Sequence, residues 1–334
     1  MKVSRLPSTS GRHRKRTIIG ITTVALIIIG VSAAYLAFGL AKPSRSPATP
    51  TTTPETTETP PKETRIHVAA MGDMLAHDSI IANAKTASGY DFGNYFKNIR
   101  PLYKDADVVF CNQEGLSAGP AFGISGYPSF NAPTEFSSGL QSGGGCNVIN
   151  LANNHMGDKG TAATDATVAT WEALKPLAYA GANRSVAEQN TVRYFEIKGV
   201  KVSFLAFADF NNNKATRAYS VNNYHDQALV TNLVTEARKN SDIVLVSMHW
   251  GTEGSAATNP DQRQQVTLLS SLGVDMIIGT GPHVLQPVET VARADGKTMT
   301  VWYSLGNMLS TQLNIPDLAT ALHQSGLTLE EAWP

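Results

Sequence analysis

Between residues 66 and 303 the chain switches repeatedly between short apolar segments and longer amphipathic ones. The apolar segments predict strands at 66–71, 107–111, 147–151, 200–207, 243–248, 276–278 and 298–303. The segments between them predict helices at 95–103, 160–177, 227–239 and 260–272. Short apolar runs separated by helices are typical of an α/β fold whose strands are covered on both faces.

Five of the predicted strands are followed at once by side chains of the types that bind metal ions. These residues are Asp73; Asn112 and Glu114; Asn153, Asn154 and His155; His249; and His283. In open α/β sheets, ligands bind beyond the carboxyl ends of the strands, so parallel neighbours would bring these side chains into one crevice. Oxygen and imidazole donors together favour a divalent transition metal such as Mn, Fe or Zn, whereas Mg or Ca is normally held by oxygen alone.

Taken singly, these residues have simpler interpretations. An aspartate after a strand, such as Asp73, is often an Asx turn or a helix cap, and an Asn-Asn pair is usually a turn. His249 beside Trp250 would by itself be as typical of a buried core histidine. The recurrence of the same pattern after five strands favours a shared site.

The N-terminal region predicts a membrane anchor. Residues 17–40 contain no charged side chain, and this stretch of 24 residues exceeds the roughly 20 needed to span a bilayer. It is also longer than the roughly 7–15 apolar residues of a signal-peptide core. Residues 1–16 hold six Lys or Arg and no acid, which predicts a cytoplasmic tail and places the rest of the chain outside the cell membrane. A cleaved signal peptide stays open as an alternative, because Gly39 and Ala41 are small residues suited to a cleavage site.

Composition divides the rest of the chain into a linker and one domain. Residues 41–64 are dominated by Thr and Pro, which predicts an extended linker, and residues 65–334 form the predicted globular domain. From Thr64 onward there are 18 basic and 24 acidic residues. A domain with this balance has no global attraction for nucleic acid, so we expect no nucleic-acid partner.

The two cysteines, Cys111 and Cys146, would lie in an oxidising compartment on this topology. Cys111 ends one predicted strand and Cys146 begins the next, which we expect to run parallel. Opposite ends of such strands lie roughly 15 Å apart, whereas a disulfide needs a Cα separation of about 4.4–6.8 Å. The strand pattern therefore predicts that the two cysteines are not bonded.

Seven motifs, in this order, resemble the bacterial CapA family associated with synthesis of poly-γ-glutamate capsule. They are MGDMLAHDS, NQEG, LANNHMGDKG, AGAN, SMHWGTE, GTGPHVLQPVE and WYSLGN, and they cover roughly residues 65–310. That family is similar to the calcineurin-type metallophosphoesterases. The resemblance therefore implies a β-sandwich flanked by helices, here preceded by one transmembrane helix.

The same resemblance assigns roles to individual residues. It implies metal ligands at Asp73, Glu114, Asn154, His249 and His283, a catalytic histidine at His155, and substrate contacts from His77, Asn112, Asn153 and Glu253. Leu75 and Gly281 stand where the phosphoesterase pattern has two further histidines, so the resemblance implies one or two divalent metal ions rather than a complete dinuclear site.

Two functions stay open at this level. One is a membrane-anchored factor for making, exporting or tethering an anionic polymer, with capsule synthetase subunits and the polymer as partners. The other is a metal-dependent phosphoesterase or hydrolase that acts on a cell-envelope substrate, in which His155 protonates the leaving group.

Overall fold

The computed structural model describes residues 63–312, which contain two β-sheets. The first sheet has the order β11-β1-β2-β3-β4, and all of its strands are parallel. Its strands are β1 (Val68–Leu75), β2 (Val108–Glu114), β3 (Val148–Asn150), β4 (Ala178–Ala180) and β11 (Asn307–Leu309).

The second sheet has the order β5-β6-β7-β8-β10-β9. Its four central strands are parallel, and the edge strands β5 and β9 are antiparallel to their neighbours. Its strands are β5 (Arg193–Ile197), β6 (Val200–Ala208), β7 (Ile243–His249), β8 (Met276–Thr280), β9 (Val288–Ala292) and β10 (Thr298–Trp302).

Six α-helices flank the two sheets in the described part of the chain. They are α1 (Asp78–Ala84), α2 (Glu135–Ser142), α3 (Thr161–Leu174), α4 (Val186–Gln189), α5 (Gln227–Asn240) and α6 (Pro260–Ser271). Side chains cap the start of two of the longer helices: Asp226 accepts from the backbone of Leu229 at the start of α5, and Asn259 forms a capping box with Gln262 at the start of α6.

The alternation of side chains along β6 shows how the layers are arranged. Phe204 and Ala206 belong to the core shared with the first sheet, where Phe204 packs edge-on against Phe110 of β2. Leu205 and Phe207 point the other way, into a second core formed with α5 and α6. The second sheet is thus covered on both faces, and the two sheets pack on each other. The predicted α/β sandwich flanked by helices is confirmed at this level.

The parallel strands place the predicted site residues at one end of each sheet. Asp73 pairs in register with Asn112, and Leu75 pairs with Glu114, at the carboxyl ends of β1 and β2. His249 ends β7 beside Thr280, the last residue of β8. All of these residues lie within the last three positions of a strand that runs parallel to a neighbour, so each sheet presents its site residues at the carboxyl ends of its strands.

The disulfide prediction is wrong. Cys111 and Cys146 are bonded, with their Cα atoms 5.7 Å apart. Cys111 lies in the middle of β2 rather than at its end, because β2 continues to Glu114. Cys146 is not on the extended line of β3: the chain folds back against α2, where the Cys146 backbone N–H donates to the carbonyl of Leu140. Because Cys111 lies in the middle of its strand and Cys146 lies off the line of β3, the two Cα atoms are not separated by the length of a strand, as the prediction had assumed.

The helix predicted at 95–103 is also different in the structure. Two short 3₁₀ turns, Gly93–Phe96 and Arg100–Tyr103, occupy this region. Pro101 lies inside the predicted helix, and it has no N–H to donate to the preceding turn. A continuous helix is therefore interrupted there.

The predicted tail (1–16), membrane span (17–40) and nearly all of the linker (41–64) lie outside the described residues. Within residues 63–312, none of the helices has the length and apolar character required to cross a membrane.

Candidate metal centre

Asp73 lies near the end of β1 and is completely buried. Its Oδ1 accepts a hydrogen bond from Nδ2 of Asn112 at 2.7 Å, and its Oδ2 lies 3.0 Å from Nδ1 of His283 and 3.2 Å from the backbone N of Gly281. Burial opposes ionisation of Asp73, but the hydrogen bond with His283 and the nearby imidazoles outweigh it, so the pKa of this carboxyl lies below its usual value. Asp73 is a carboxylate fixed in one orientation.

Glu114, at the end of β2, differs from Asp73 in having no partner. Both of its carboxylate oxygens are buried and accept no hydrogen bond from the described residues. Oε1 lies 3.8 Å from Nε2 of His249 and 3.7 Å from Nε2 of His283. Burial, followed by the charge of Asp73, raises the pKa of Glu114 well above its usual value. A buried carboxyl without a partner is costly, and a bound cation would remove that cost.

His249 ends β7 and is buried. Its Nδ1 lies 3.0 Å from the hydroxyl of Thr280, which leaves Nε2 facing Oδ1 of Asn154 at 3.0 Å and the carboxylate of Glu114. Burial lowers the pKa of His249 to about 4, so the ring is neutral near pH 7. A neutral imidazole held through one nitrogen, with the other directed at oxygen ligands, is the arrangement of a metal-binding histidine.

His283 follows β8 in a left-handed backbone conformation, with φ of 62°. Such a conformation is uncommon for a residue other than glycine and is often kept at functional sites. Nδ1 lies 2.9 Å from Oδ1 of Asn307 and 3.0 Å from Oδ2 of Asp73. Burial lowers the pKa of His283, but the charge of Glu114 and the hydrogen bond with Asp73 outweigh it and raise it to about 9.

His155 is not part of the cluster formed by Asp73, Glu114, His249 and His283, and it is paired with a different carboxylate, that of Asp158. Nδ1 of His155 lies 2.7 Å from Oδ2 of Asp158, and the ring packs edge-on against Phe130 at 4.7 Å. Because Nδ1 is engaged by Asp158, Nε2 is the nitrogen left for chemistry, and His155 lines an open cleft beside Asn154. A histidine oriented by a carboxylate at one nitrogen is suited to proton transfer at the other.

The cleft consists of two depressions, of about 300 and 480 Å³, which share Asn154, Glu253 and His283. His77 lines the larger one, and its ring packs edge-on against Phe130 at 5.1 Å. Glu253 is exposed at the rim, where it accepts a hydrogen bond from Gln312 at 2.6 Å. Both residues are therefore placed where a bound molecule would reach them.

Asn112 and Asn153, which the sequence predicts to contact substrate, do not line the cleft. Both are completely buried. Besides Asp73, Asn112 contacts Nδ2 of Asn150 at 2.9 Å. Asn153 accepts from the backbone of Gly115 and donates to the carbonyl of Gln113. Their amides hold the strand ends in position beneath the cleft, and the substrate contacts that the sequence predicts for them stay a prediction.

The structure also explains the two departures from the phosphoesterase pattern. Leu75 is buried at the end of β1 and offers no donor atom. Gly281 has φ of 106°, and a Cβ there would lie 2.8 Å from the carbonyl oxygen of Trp250. A histidine does not fit at this position, and the backbone N–H of Gly281 instead contacts Asp73.

Several site residues were missed by the sequence analysis. Asp209 follows β6 directly and lines the cleft, so the strand-end rule would have found it. Asp158 stands three residues after His155. Thr280 and Asn307, which contact His249 and His283, carried no such signal, since neither residue type is distinctive by itself.

The donor set fits a divalent metal ion. Ligand atoms of Asp73, Glu114 and His249 all lie within 4.8 Å of one another. Asn154 and His283 contact members of this group from either side. Two carboxylates, one amide oxygen and two imidazoles match the mixed oxygen and nitrogen donors that Mn, Fe or Zn accepts. We refer to these five residues as the metal centre.

Comparison with known proteins identifies similar sequences. Residues 67–312 match the family described as "Bacterial capsule synthesis protein PGA_cap". The "PGA biosynthesis protein CapA" of Bacillus subtilis (strain 168) is 32% identical over 168 residues, which cover 49% of this chain and 43% of that protein. The "Capsule biosynthesis protein CapA" of Bacillus anthracis is 30% identical over 174 residues, which cover 50% of this chain and 41% of that protein. The chain thus spans less than half the length of these curated relatives.

Two solved structures align with the chain at low similarity. A hypothetical protein from Thermus thermophilus aligns with a TM-score of 0.43 and 15% identity, over 78% of this chain and 85% of that one. A putative 5′-nucleotidase from Staphylococcus aureus in complex with alpha-ketoglutarate aligns with a TM-score of 0.39 and 12% identity, over 77% of this chain and 57% of that one.

Proposed function

The chain belongs to the bacterial capsule synthesis protein family PGA_cap, and on that basis we propose that it acts in the synthesis, export or tethering of an anionic capsule polymer such as poly-γ-glutamate. The names of the two Bacillus relatives, both called CapA, support this role. The partners in this proposal are the polymer itself and the capsule synthetase subunits at the membrane.

The proposal places the domain outside the cell membrane on a single-pass anchor formed by residues 17–40. Its support is the uncharged stretch and the basic residues that precede it. The disulfide between Cys111 and Cys146 adds independent support, because disulfides persist in oxidising compartments and are rare in the cytosol.

In this proposal the metal centre is the site at which the polymer or its precursor reacts or binds. The main observation that supports this is the environment of Glu114. Its buried carboxylate has no hydrogen-bond partner among the described residues and faces two imidazoles. A divalent ion held there by Asp73, Glu114, Asn154, His249 and His283 would polarise a carbonyl or phosphoryl group and lower the pKa of a bound water.

The surrounding residues have separate tasks. Asn112 and Gly281 hold Asp73 in place, Thr280 orients His249, and Asn307 contacts His283. This leaves the ligand atoms little freedom to rearrange, which favours a preorganised site. His77 and Glu253, at the wall and rim of the cleft, are placed to contact the bound substrate.

A second candidate function is a metal-dependent phosphoesterase or hydrolase that acts on a cell-envelope substrate. The observation that favours it is the pairing of His155 with Asp158 beside the metal centre. In this function Nε2 of His155 gives a proton to the leaving group, and Asp158 keeps the ring in the required orientation.

The experiment that tests the proposal measures capsule polymer in cells that lack the native protein and carry a plasmid copy. Wild type and Glu196→Gln, a matched substitution at an exposed glutamate of β5, should both restore the polymer. Glu114→Gln should not, although it accumulates normally. Full polymer with Glu114→Gln would contradict a working metal centre.

The second candidate is tested with the purified chain. A generic phosphodiester should be hydrolysed in the presence of Mn²⁺ by wild type, and not by His155→Ala. Equal rates of hydrolysis by the two proteins would show that His155 takes no part in the reaction.

A further inference from the structure

The cleft over the metal centre has a charge that does not match an anionic polymer. Among the described residues that line it, none is a lysine or an arginine. Two acidic side chains, Asp209 and Glu253, line it instead. A polymer with one carboxylate per residue would be repelled along such a surface, except at the metal ion itself.

A separate pocket of about 180 Å³ lies next to the cleft and carries positive charge. Phe210 lines both the pocket and the smaller depression of the cleft, so the two are adjacent. Lys214 and Arg217 line the pocket, and none of the described residues that line it is acidic. The pocket thus offers a cationic surface next to the cleft, on the other side of Phe210.

The two cations are free to meet a ligand. Lys214 is exposed and forms no ion pair with any residue in 63–312, and its Nζ lies 5.6 Å from the ring centre of Phe210. Arg217 is half exposed, and only its Nη1 contacts an acid, Asp165, at 3.3 Å. The remaining guanidinium nitrogens have no acidic partner among the described residues, and a guanidinium can bind a carboxylate through two nitrogens at once.

Side-chain amides hold the loop that carries these cations, residues 209–217, in a defined conformation. Asn211 donates to the hydroxyl of Thr216 at 2.8 Å, and Asn213 donates to the carbonyl of Gly157 at 3.0 Å. Side chains that hydrogen-bond to nearby groups in this way fix loop geometry. The cations therefore project from a preorganised support.

The same loop contacts the catalytic side of the cleft. The backbone N–H of Asn212 donates to the carbonyl of Asn154 at 2.9 Å, and its side chain lies 3.2 Å from Nδ1 of His155. Asp209, at the start of the loop, is paired with His225 at 2.7 Å. One short loop thus joins the metal centre to the cationic pocket.

From this arrangement we infer that the pocket lined by Lys214 and Arg217 is a carboxylate subsite, which holds a free α-carboxylate of the γ-linked polymer while a neighbouring residue of the polymer lies at the metal centre. The inference rests on the proposed function, because it assumes a polymer that carries repeated carboxylates. Phe210, between the two sites, would contact the apolar methylene carbons of the chain.

The test uses the full-length chain in detergent, loaded with Mn²⁺, and a fluorescent γ-linked oligoglutamate as the probe. Lys214→Gln and Arg217→Gln should each weaken binding roughly fivefold, which corresponds to about 1 kcal/mol per exposed charge contact. The double variant should bind roughly 25-fold more weakly if the two contacts add, with a smaller dependence on salt. Lys239→Gln, at an exposed lysine on α5, should bind like wild type. Metal content should be the same in all of these proteins.

Two outcomes would overturn the inference. If the double variant binds the oligomer as tightly as wild type, the pocket is not the subsite, although the chain still binds polymer. If wild type does not bind the oligomer at all, the subsite is also excluded, and the capsule measurement with Glu114→Gln then decides separately whether the chain acts in capsule synthesis.

Discussion

Oε1 of Glu114 lies 3.7 Å from Nε2 of His283, inside a site where neither carboxylate oxygen of Glu114 has a hydrogen-bond partner among the described residues. Burial raises the pKa of Glu114 well above its usual value, and the neighbouring carboxylates raise the pKa of His283 to about 9, so the metal-free pair holds at least one proton near pH 7. A metal ion would replace that proton as the positive charge between them. Metal binding and protonation are therefore expected to compete at this site.

The first prediction is that Mn²⁺ binding to the metal-free protein releases at least one proton at pH 7. His283 is protonated at that pH, and only a neutral imidazole binds a metal ion. Apparent affinity should rise at least tenfold per pH unit below pH 9, because His283 and Glu114, whose pKa is also raised, must both lose their protons to bind the metal. Calorimetric titration in two buffers of different ionisation enthalpy measures the number of protons released.

Two variants provide the controls for this prediction. His67→Gln, at an exposed histidine outside the site, should leave proton release unchanged. His283→Gln should lower the number of protons released on Mn²⁺ binding by one. In the metal-free wild type, the raised pKa of His283 contributes stability that is complete below about pH 6.5 and is lost as the pH rises through about 9. Proton release of zero in wild type would contradict the site described here.

The second prediction concerns His155 and Asp158, whose side chains are 2.7 Å apart. If the chain hydrolyses a phosphodiester, His155→Ala should lower kcat about 10²- to 10⁴-fold, the usual contribution of a positioned proton donor. Asp158→Asn should lower kcat by a smaller factor, because the histidine remains but is less well oriented. Asp105→Asn, at an exposed aspartate, is the matched control. Loss of bound metal in His155→Ala would indicate a ligand instead of a proton donor.

The third prediction concerns the disulfide. Its two cysteines are 35 residues apart, and closing a loop of this length is expected to stabilise the fold by about 3–4 kcal/mol. The double substitution Cys111→Ala with Cys146→Ala should lower the free energy of unfolding in urea by that amount. Alkylation of the denatured, unreduced protein should modify neither cysteine. Two alkylated cysteines under these conditions would show that the bond is absent.

The fourth prediction concerns the anchor at residues 17–40. Protease added to intact cells should remove the domain and leave a membrane-bound fragment, because the proposed topology places everything after residue 40 outside. A cytoplasmic protein is the control for cell integrity. A domain that is protected from protease, or that is found in the medium with a new N-terminus near Lys42, would contradict the uncleaved anchor.

The strand-end pattern was sufficient to group Asp73, Glu114 and His249, whose ligand atoms lie close together. The rule for one sheet edge accounts for only part of this, because β1 and β2 belong to the first sheet and β7 belongs to the second, and the packing of the two sheets brings their ends together. The same rule applies to Asp209, which was overlooked after β6. The pattern could not distinguish a strand-end side chain that faces the cleft from one that is buried beneath it. Asn153 is an example, because it is buried while its neighbours Asn154 and His155 line the cleft.

Contacts between distant parts of the chain could not be predicted from local sequence patterns. Cys146 approaches Cys111 because residues before β3 fold against α2, and nothing in the intervening sequence indicates this. The three-residue strand β11 pairs with β1 from the far end of the described chain. The interruption at Pro101, in contrast, was readable from the sequence, because proline inside a helix removes a hydrogen bond.

The most direct test of the metal centre is the metal content of purified wild type and Glu114→Gln. After saturation with Mn²⁺ and removal of excess metal, wild type should retain about one or two ions per chain, and Glu114→Gln at most about a tenth of that. Wild type that retains no metal, or Glu114→Gln that retains as much as wild type, would contradict the metal centre.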